Sequence, residues 1–458
     1  METTKLVVPF ADRISLKEKI GYSLGDAASN LYWKTFEWFL LFFYTDIFGI
    51  SAAAVGTMLL VTRFADAAAD PVMGSIADRT RTRWGHFRPY LLWGAVPFAA
   101  AGVLTFTTPH LGTGAKLVYA YITYSSLMFI YTAVNIPYSA LMGVITPNSQ
   151  ERTSISSIRF IGAFTAGIFV QYFTLPLVKF LGQGSETRGW QMTMVLYGAL
   201  AIILLIVCFA TTRERVIPPP KQSTSLKLDL RGLFESRPWI VLVGVLLLTL
   251  AAFAVKGSVS AYYFKYFLKR EDLLKWFLLA NGLAFISAVS IASPLARWIG
   301  KKSLFMVALG VGGLVVGLFW FAKPTDIPLI FALQIASSFI IAFNSPLVWA
   351  MFADTADHAE WRTGRRNTGL VFASAIFATK IGFAVGAWML GLILTYFGYV
   401  ANMEQTSRSL HGIILSMSWI PCMLLVLAAA AMAAYPLNDA MMVKIETDLK
   451  ERRGEIEA

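Results

Sequence analysis

The chain of 458 residues is 57% apolar and 14% charged, with a mean hydropathy of +0.61, whereas about a quarter of an ordinary water-soluble domain is charged. That composition excludes an aqueous fold. The net charge of +12 comes from basic residues scattered between apolar segments, which argues for membrane topology and against a nucleic-acid-binding face.

In chain order, Lys5, Arg13, Lys17, Glu18 and Lys19 precede the first apolar run. That run is too long for a signal-peptide core and lacks a small-residue cleavage site, so it is expected to remain as the first helix. Crossing roughly 30 Å of hydrocarbon takes about 20 apolar residues. Twelve runs meet that length, at 20–46, 51–77, 89–108, 116–143, 155–181, 190–211, 238–268, 272–296, 303–322, 327–353, 368–398 and 409–435. With the N-terminus inside, most Lys and Arg fall in cytoplasmic segments, as the positive-inside bias requires, and an even count puts both termini in the cytoplasm.

These runs predict an all-α integral membrane protein with an N-terminal six-helix bundle over 1–211 and a C-terminal one over 238–435. Between them, 212–237 reads as a flexible cytoplasmic linker holding Pro218, Pro219, Pro220, Lys221, Gln222, Ser223 and Thr224. Residues 436–458 form a cytoplasmic tail, polar enough for a surface helix or a disordered segment. The halves carry a faint repeat: Pro137 precedes Glu151 by the spacing with which Pro346 precedes Glu360. Repeated halves are how many secondary transporters obtain alternating access.

Ionisable groups inside a span cost about 2.5–3.5 kcal/mol each, so each points to a pathway, a partner or a site. Asp66 and Asp70 stand one turn apart on one face of the second span. Two anions that close repel, which calls for a shared proton or a cation between them, or for a neighbouring Arg such as Arg63. Pro71 follows and removes a backbone donor, which frees a carbonyl as a further ligand.

On the first span Asp26, Asn30 and Lys34 follow at successive turns, with Glu37 beyond, a polar stripe suited to a polyhydroxylated ligand. Lys34 and Glu37 either pair with each other or take a direct part. Thr132 and Asn135 lie on the fourth span before Pro137, Arg159 in the fifth, Lys256 in the seventh and Lys380 in the eleventh. Arg159 and Lys380 are expected to pair with Asp66 or Asp70 in the empty state. At the predicted inner boundary, Arg152, Arg297, Asp354, Asp357, Glu360 and Arg366 form a candidate cytoplasmic gate, bridged in one state and parted in the other.

No phosphate-cradling loop occurs, so transport driven by ATP on this chain alone is not expected. The two cysteines, Cys208 and Cys422, lie in apolar runs, and the four histidines, His86, His110, His358 and His411, lack metal-ligand spacing. Neither catalysis, an organic cofactor nor a metal is expected, apart from a Na+ at Asp66 and Asp70.

The segment Asp66-Ala67-Ala68-Ala69-Asp70-Pro71-Val72-Met73-Gly74, continuing to Thr80-Arg81-Thr82-Arg83-Trp84-Gly85-His86-Phe87-Arg88-Pro89-Tyr90, resembles the signature of the glycoside-pentoside-hexuronide:cation symporters, which include melibiose permease. Gly21-Tyr22-Ser23-Leu24-Gly25-Asp26, Phe43-Tyr44-Thr45-Asp46, Asn135-Ile136-Pro137-Tyr138 and Ala353-Asp354-Thr355-Ala356-Asp357 extend the likeness over nearly the whole chain.

The resemblance implies a major facilitator fold of two pseudo-symmetric six-helix bundles and symport of a sugar or glycoside with H+ or Na+ in a bacterial inner membrane, the protein working as a monomer. It implies a cation site at Asp66, Asp70 and Thr132. It implies a sugar site drawing on Asn30, Asn135, Arg159 and Lys380, to which Asp26 and Tyr131 are added here. It also implies that the six gate charges form an inner salt-bridge network.

Departures narrow this reading. Asn30 and Asn135 stand where melibiose permease has sugar-binding aspartates, and Ser139 and Ser345 where it has tryptophans, so the expected substrate is a different sugar. Ala69 replaces an amide that helps hold Na+, which tilts the expectation towards H+. Transport of a lysolipid or other amphiphile by the same fold is the alternative.

Overall fold

The computed structural model describes residues 14–146, 149–215, 234–363 and 368–452. Their regular structure is helical, apart from an isolated bridge between Thr82 and Gly85. We label the α-helices α1 (Leu16–Phe42), α2 (Ala52–Arg79), α3 (Arg88–Thr105), α4 (Thr113–Ile145), α5 (Ser149–Gly182), α6 (Glu186–Thr211), α7 (Arg237–Tyr262), α8 (Leu274–Ile299), α9 (Lys301–Gly317), α10 (Ile327–Ala342), α11 (Asn344–Thr363), α12 (Thr368–Tyr396), α13 (Ser407–Met417), α14 (Trp419–Ala433) and α15 (Asp439–Arg452).

Among the described residues, ten helical stretches are long and apolar enough to cross a membrane, α10 with α11 and α13 with α14 each counting as one. The other two expected spans, α1 and α3, are also helices. All twelve are therefore present. α1 keeps Asp26, Lys34 and Glu37 within its length, which lowers its apolar signal without breaking the helix. Both α1 and α7 run on into a five-residue π-turn, Phe43–Ile47 and Tyr263–Phe267, so the first helix of each half ends alike.

Two spans depart from the sequence expectation by breaking. The tenth span breaks at Phe343, and α11 then continues to Thr363 through Asp354, Asp357 and Glu360, a charged stretch that hydropathy cannot extend. The twelfth breaks at Ser418. The tail segment is a packed helix: Met442, Ile445 and Leu449 of α15 are buried, and Trp361 Nε1 donates to Asp448 Oδ2 at 2.8 Å. Its spacing of apolar residues one turn apart explains the docking. Residues 216–233 of the linker lie outside the described residues.

The chain forms two compact units. The first spans Met1–Phe36, Ile47–Ile50 and Phe64–Lys221. Its α1 and α4 lock through Tyr22 and Tyr138, whose rings stack at 4.6 Å and whose hydroxyls each donate to the other residue's carbonyl, at 3.1 and 2.8 Å. A Cβ on Gly25 would meet the Tyr138 ring at 2.5 Å, so this approach needs glycine.

In the same unit the start of α3 is capped from a distance. The carboxylate of Glu214 accepts from the backbone N–H groups of His86, Phe87 and Arg88 at 2.8, 2.8 and 2.9 Å. These are donors that a helix N-terminus leaves unmade, and an anion there also meets the positive end of the helix dipole. The second unit spans Glu37–Asp46, Ser51–Arg63 and Gln222–Ala458. Its core gathers Leu242, Leu309, Phe352, Val371, Ala428 and Met432.

Candidate functional site

Two carboxylates and one hydroxyl converge between α2 and α4 in the first unit. Asp66 is fully buried, and Thr132 Oγ1 lies 2.5 Å from Asp66 Oδ1 and 3.3 Å from Asp70 Oδ1. The helix puts the two acids on one face because they are four residues apart, and α2 runs unbroken past Pro71. One hydroxyl carries one hydrogen and donates to one acceptor at a time. If it serves Asp66, the contact with Asp70 becomes favourable when the Asp70 carboxyl is protonated and donates to Thr132, or when a cation joins the oxygens. The three oxygen groups stand where one proton or one small hard cation would satisfy them together.

Beside it lies a polar and aromatic cluster. Arg159 Nε of α5 meets Asp26 Oδ2 of α1 at 2.8 Å, with its guanidinium 5.3 Å from the centre of the Tyr138 ring. Asn30 Nδ2 donates to the Asp26 carbonyl at 2.9 Å and reaches Asp26 Oδ1 at 3.4 Å. On α4, Asn135 Nδ2 donates to Tyr131 Oη at 3.2 Å. Tyr131 stacks with Trp33 at 5.8 Å between ring centres. Tyr131, Thr132 and Asn135 follow within about one turn of α4, so this helix carries both the carboxylate cluster's hydroxyl and the polar-aromatic cluster's amide.

The partner of Arg159 therefore differs from the sequence expectation: it is Asp26, not Asp66 or Asp70. The periodicity of α1 and α5 taken separately cannot show which helix faces which. Trp33, between Asn30 and Lys34, was missed for the same reason, since an aromatic in an apolar run carries no mark of facing a polar cluster. Lys380 is buried in α12 of the second unit.

Of the gate residues, Asp354 pairs with Lys301 at the start of α9, a partner that was not foreseen. Asp357 and Glu360 follow Asp354 on α11, and Arg297 is exposed near the end of α8. Arg366 and the side chain of Arg152 lie outside the described residues. In the first unit Lys19 pairs with Glu151 at 2.8 Å, and Arg215 grips the carboxylate of Glu18 with two nitrogens at 2.7 and 2.8 Å.

Asp46 carries no signal of its own in the sequence beyond its place in Phe43-Tyr44-Thr45-Asp46. It follows α1 in the π-turn, belongs to the second unit, and its side chain is wholly buried. Lys265 donates to it at 3.0 Å, Tyr399 at 2.5 Å and Thr45 at 2.7 Å, and Tyr266 also donates. Asn402 donates to its carbonyl. Asp46 thereby ties the end of α1 to the π-turn after α7 and to the segment after α12.

Residues 21–439 match the MFS/sugar transport protein family. A putative glycoside/cation symporter of Escherichia coli is 37% identical, with 96% of each chain covered. An isoprimeverose transporter of Lactiplantibacillus pentosus is 36% identical over 98% of this chain and 93% of its own. The crystal structure of a bacterial homologue of the human lysosomal transporter Spinster, inward-facing and unoccupied, aligns with a TM-score of 0.70 at 14% identity, covering 94% of this chain and 97% of that one, a likeness of fold. The chain belongs to the MFS/sugar transport protein family.

Proposed function

Starting from that membership, we propose that this integral membrane protein is a secondary transporter that carries a sugar or glycoside in symport with a cation by alternating access. The observation that carries the reading is the convergence of Asp66, Asp70 and Thr132, three oxygen groups that one proton or one cation satisfies together. The coupling ion in this reading is H+, because Ala69 supplies no side-chain oxygen to complete a Na+ cage. The relatives named as a glycoside/cation symporter and an isoprimeverose transporter support the sugar class.

The substrate takes its place at Asp26, Asn30, Tyr131, Asn135 and Arg159 of the first unit, with Trp33 offering an apolar ring to the C–H face of a pyranose. Because α4 contributes to both clusters, filling the carboxylate cluster adjusts the helix that holds Tyr131 and Asn135. Within the second unit, Asp354 and Lys301 act as gate charges together with Asp357, Glu360 and Arg297. The protein works as a monomer with both termini in the cytoplasm, and its partners are the sugar and the bilayer.

Proteoliposomes loaded under an imposed proton gradient, and separately a sodium gradient, are offered a panel of labelled glycosides. Uptake above equilibrium under the proton gradient alone is the expected result. Drive by sodium alone would reassign the ion, and no sugar flux under either gradient would overturn the sugar reading in favour of an amphiphile.

A further inference from the structure

The second unit holds a polar cluster that the proposed site does not use. Lys256 lies in α7, within a membrane span, and its ammonium donates to Ser337 Oγ of α10 at 3.1 Å and sits 5.0 Å from the centre of the Phe319 ring. Among the described residues these contacts include no carboxylate. A hydroxyl and an aromatic face recover only part of the cost of holding an ammonium in a span.

Through Ser337 the lysine is linked to Gln334, whose amide is pinned. Asn281 Oδ1 of α8 accepts from Gln334 Nε2 at 3.0 Å and from Ser338 Oγ at 2.7 Å. Both lone pairs of that oxygen are thus used, which turns Asn281 Nδ2 away from Gln334 and leaves its two hydrogens for another acceptor. The same bond fixes the Gln334 amide, and Gln334, 2% exposed, keeps an Oε1 with no hydrogen-bond partner. Ser337 completes the arrangement by donating to the Gln334 carbonyl at 3.2 Å.

The cluster therefore presents a positive charge with spare donors, a spare amide donor pair and one buried acceptor in need of a donor. A neutral alcohol satisfies the acceptor but not the charge. A simple anion satisfies the charge but not the acceptor. A sugar acid supplies both, with an acid group for Lys256 and Asn281 and a hydroxyl for Gln334.

We infer that Lys256, Asn281 and Gln334 form a subsite for the acid group and adjacent hydroxyl of an anionic sugar, a carboxylate or a sulfonate, and so set the transporter's preference for charged over neutral sugars. The inference rests on the sugar-transport reading for its physiological meaning but names its own residues.

The test compares labelled methyl glucuronide with methyl glucoside in proteoliposomes of the full chain, using wild type, Lys256→Gln, Lys256→Arg and Asn281→Ala. The wild type is expected to prefer the glucuronide. Removing one partner of a buried charge pair typically costs 2–5 kcal/mol, so Lys256→Gln should cut the glucuronide-to-glucoside ratio by about 30-fold or more. Lys256→Arg should keep most of the preference, and Asn281→Ala should lower it without depending on the lysine variant folding. A wild type without preference, or a ratio unmoved by Lys256→Gln and Asn281→Ala, overturns the subsite while leaving sugar transport intact. If neither sugar moves, the transport reading fails, and the melting temperature in detergent with glucuronate decides the subsite. A rise in wild type that is absent in Lys256→Gln and Asn281→Ala upholds it, and any other pattern overturns it.

Discussion

Arg159 and Asp26 meet at 2.8 Å across α5 and α1, both largely sheltered, and Asn30 one turn along α1 holds the backbone of the same aspartate. This pair joins two helices of the first unit at the centre of its polar cluster. It has a measurable signature, because two charges in contact do not act independently. A double-mutant cycle of Asp26→Asn and Arg159→Gln, read by melting temperature in detergent, should give a coupling energy of about 1–3 kcal/mol. Each single variant should lose more than half of sugar binding. A coupling near zero would show that the pair is incidental to the unit.

Variants of the carboxylate cluster test the proposed coupling. Asp66→Asn and Asp70→Asn should each abolish accumulation above equilibrium. Thr132→Ser keeps the hydroxyl and should keep concentrative uptake, whereas Thr132→Val keeps the shape and should lose it, by about 10-fold or more in initial rate, the typical worth of a hydrogen bond to a charged group. Retained accumulation in both aspartate variants would remove the cluster from the mechanism.

Asp46 makes its contribution through burial. Its carboxylate is held by Lys265, Tyr266, Tyr399 and Thr45, so Asp46→Ala removes the anion of a half-buried ammonium and the acceptor of three hydroxyls and should cost about 2–4 kcal/mol in stability. Tyr399→Phe should cost about 1–3 kcal/mol, as expected for one charge-assisted bond. If Asp46→Ala melts like wild type, the bonded cluster is not what holds these three segments together.

The same cluster sets a pH dependence. Burial, and then the neighbouring Tyr262 and Asp46, push the Tyr399 hydroxyl well above the ordinary phenol range. A group whose pKa is raised on folding stabilises the fold fully below its unfolded pKa and loses that contribution as pH rises beyond it. Thermal stability should therefore be insensitive to Tyr399 up to about pH 9 and fall above about pH 10, where an unfolded tyrosine ionises. Tyr399→Phe should flatten that alkaline fall. An identical pH profile in both proteins would refute the assignment.

Glu214 and Gly85 should fail together. Gly85 has φ +113°, and a Cβ there would stand 2.4 Å from the Glu214 carboxyl carbon, so Gly85→Ala must strain the backbone and displace the cap. Glu214→Ala removes an acceptor from three N–H groups and should cost about 1–3 kcal/mol by melting temperature, with Glu214→Gln intermediate. A Gly85→Ala protein as stable as wild type would contradict this capping.

What the sequence determined by itself was whatever depends on local composition and spacing. Twelve apolar runs read as spans because a span must satisfy its backbone within one segment, so each declares itself in its own 20 residues or so. Asp66 and Asp70 were legible as a pair because helical spacing alone puts them on one face. Asn30, Tyr131, Thr132 and Asn135 stood out as polar or amphipathic groups in apolar surroundings.

Contacts between distant segments were decided only by the tertiary structure. The choice of Asp26 over Asp66 or Asp70 as the partner of Arg159, the pairing of Asp354 with Lys301 and the capping of α3 by Glu214 all depend on how helices are rotated and which ends adjoin. Hydropathy carries neither quantity. Trp33 and Asp46 show the limit most plainly. An aromatic in an apolar run and an acid at the end of a span look ordinary in sequence, and only the residues folded against them turn one into the wall of a polar cluster and the other into the anchor of three segments.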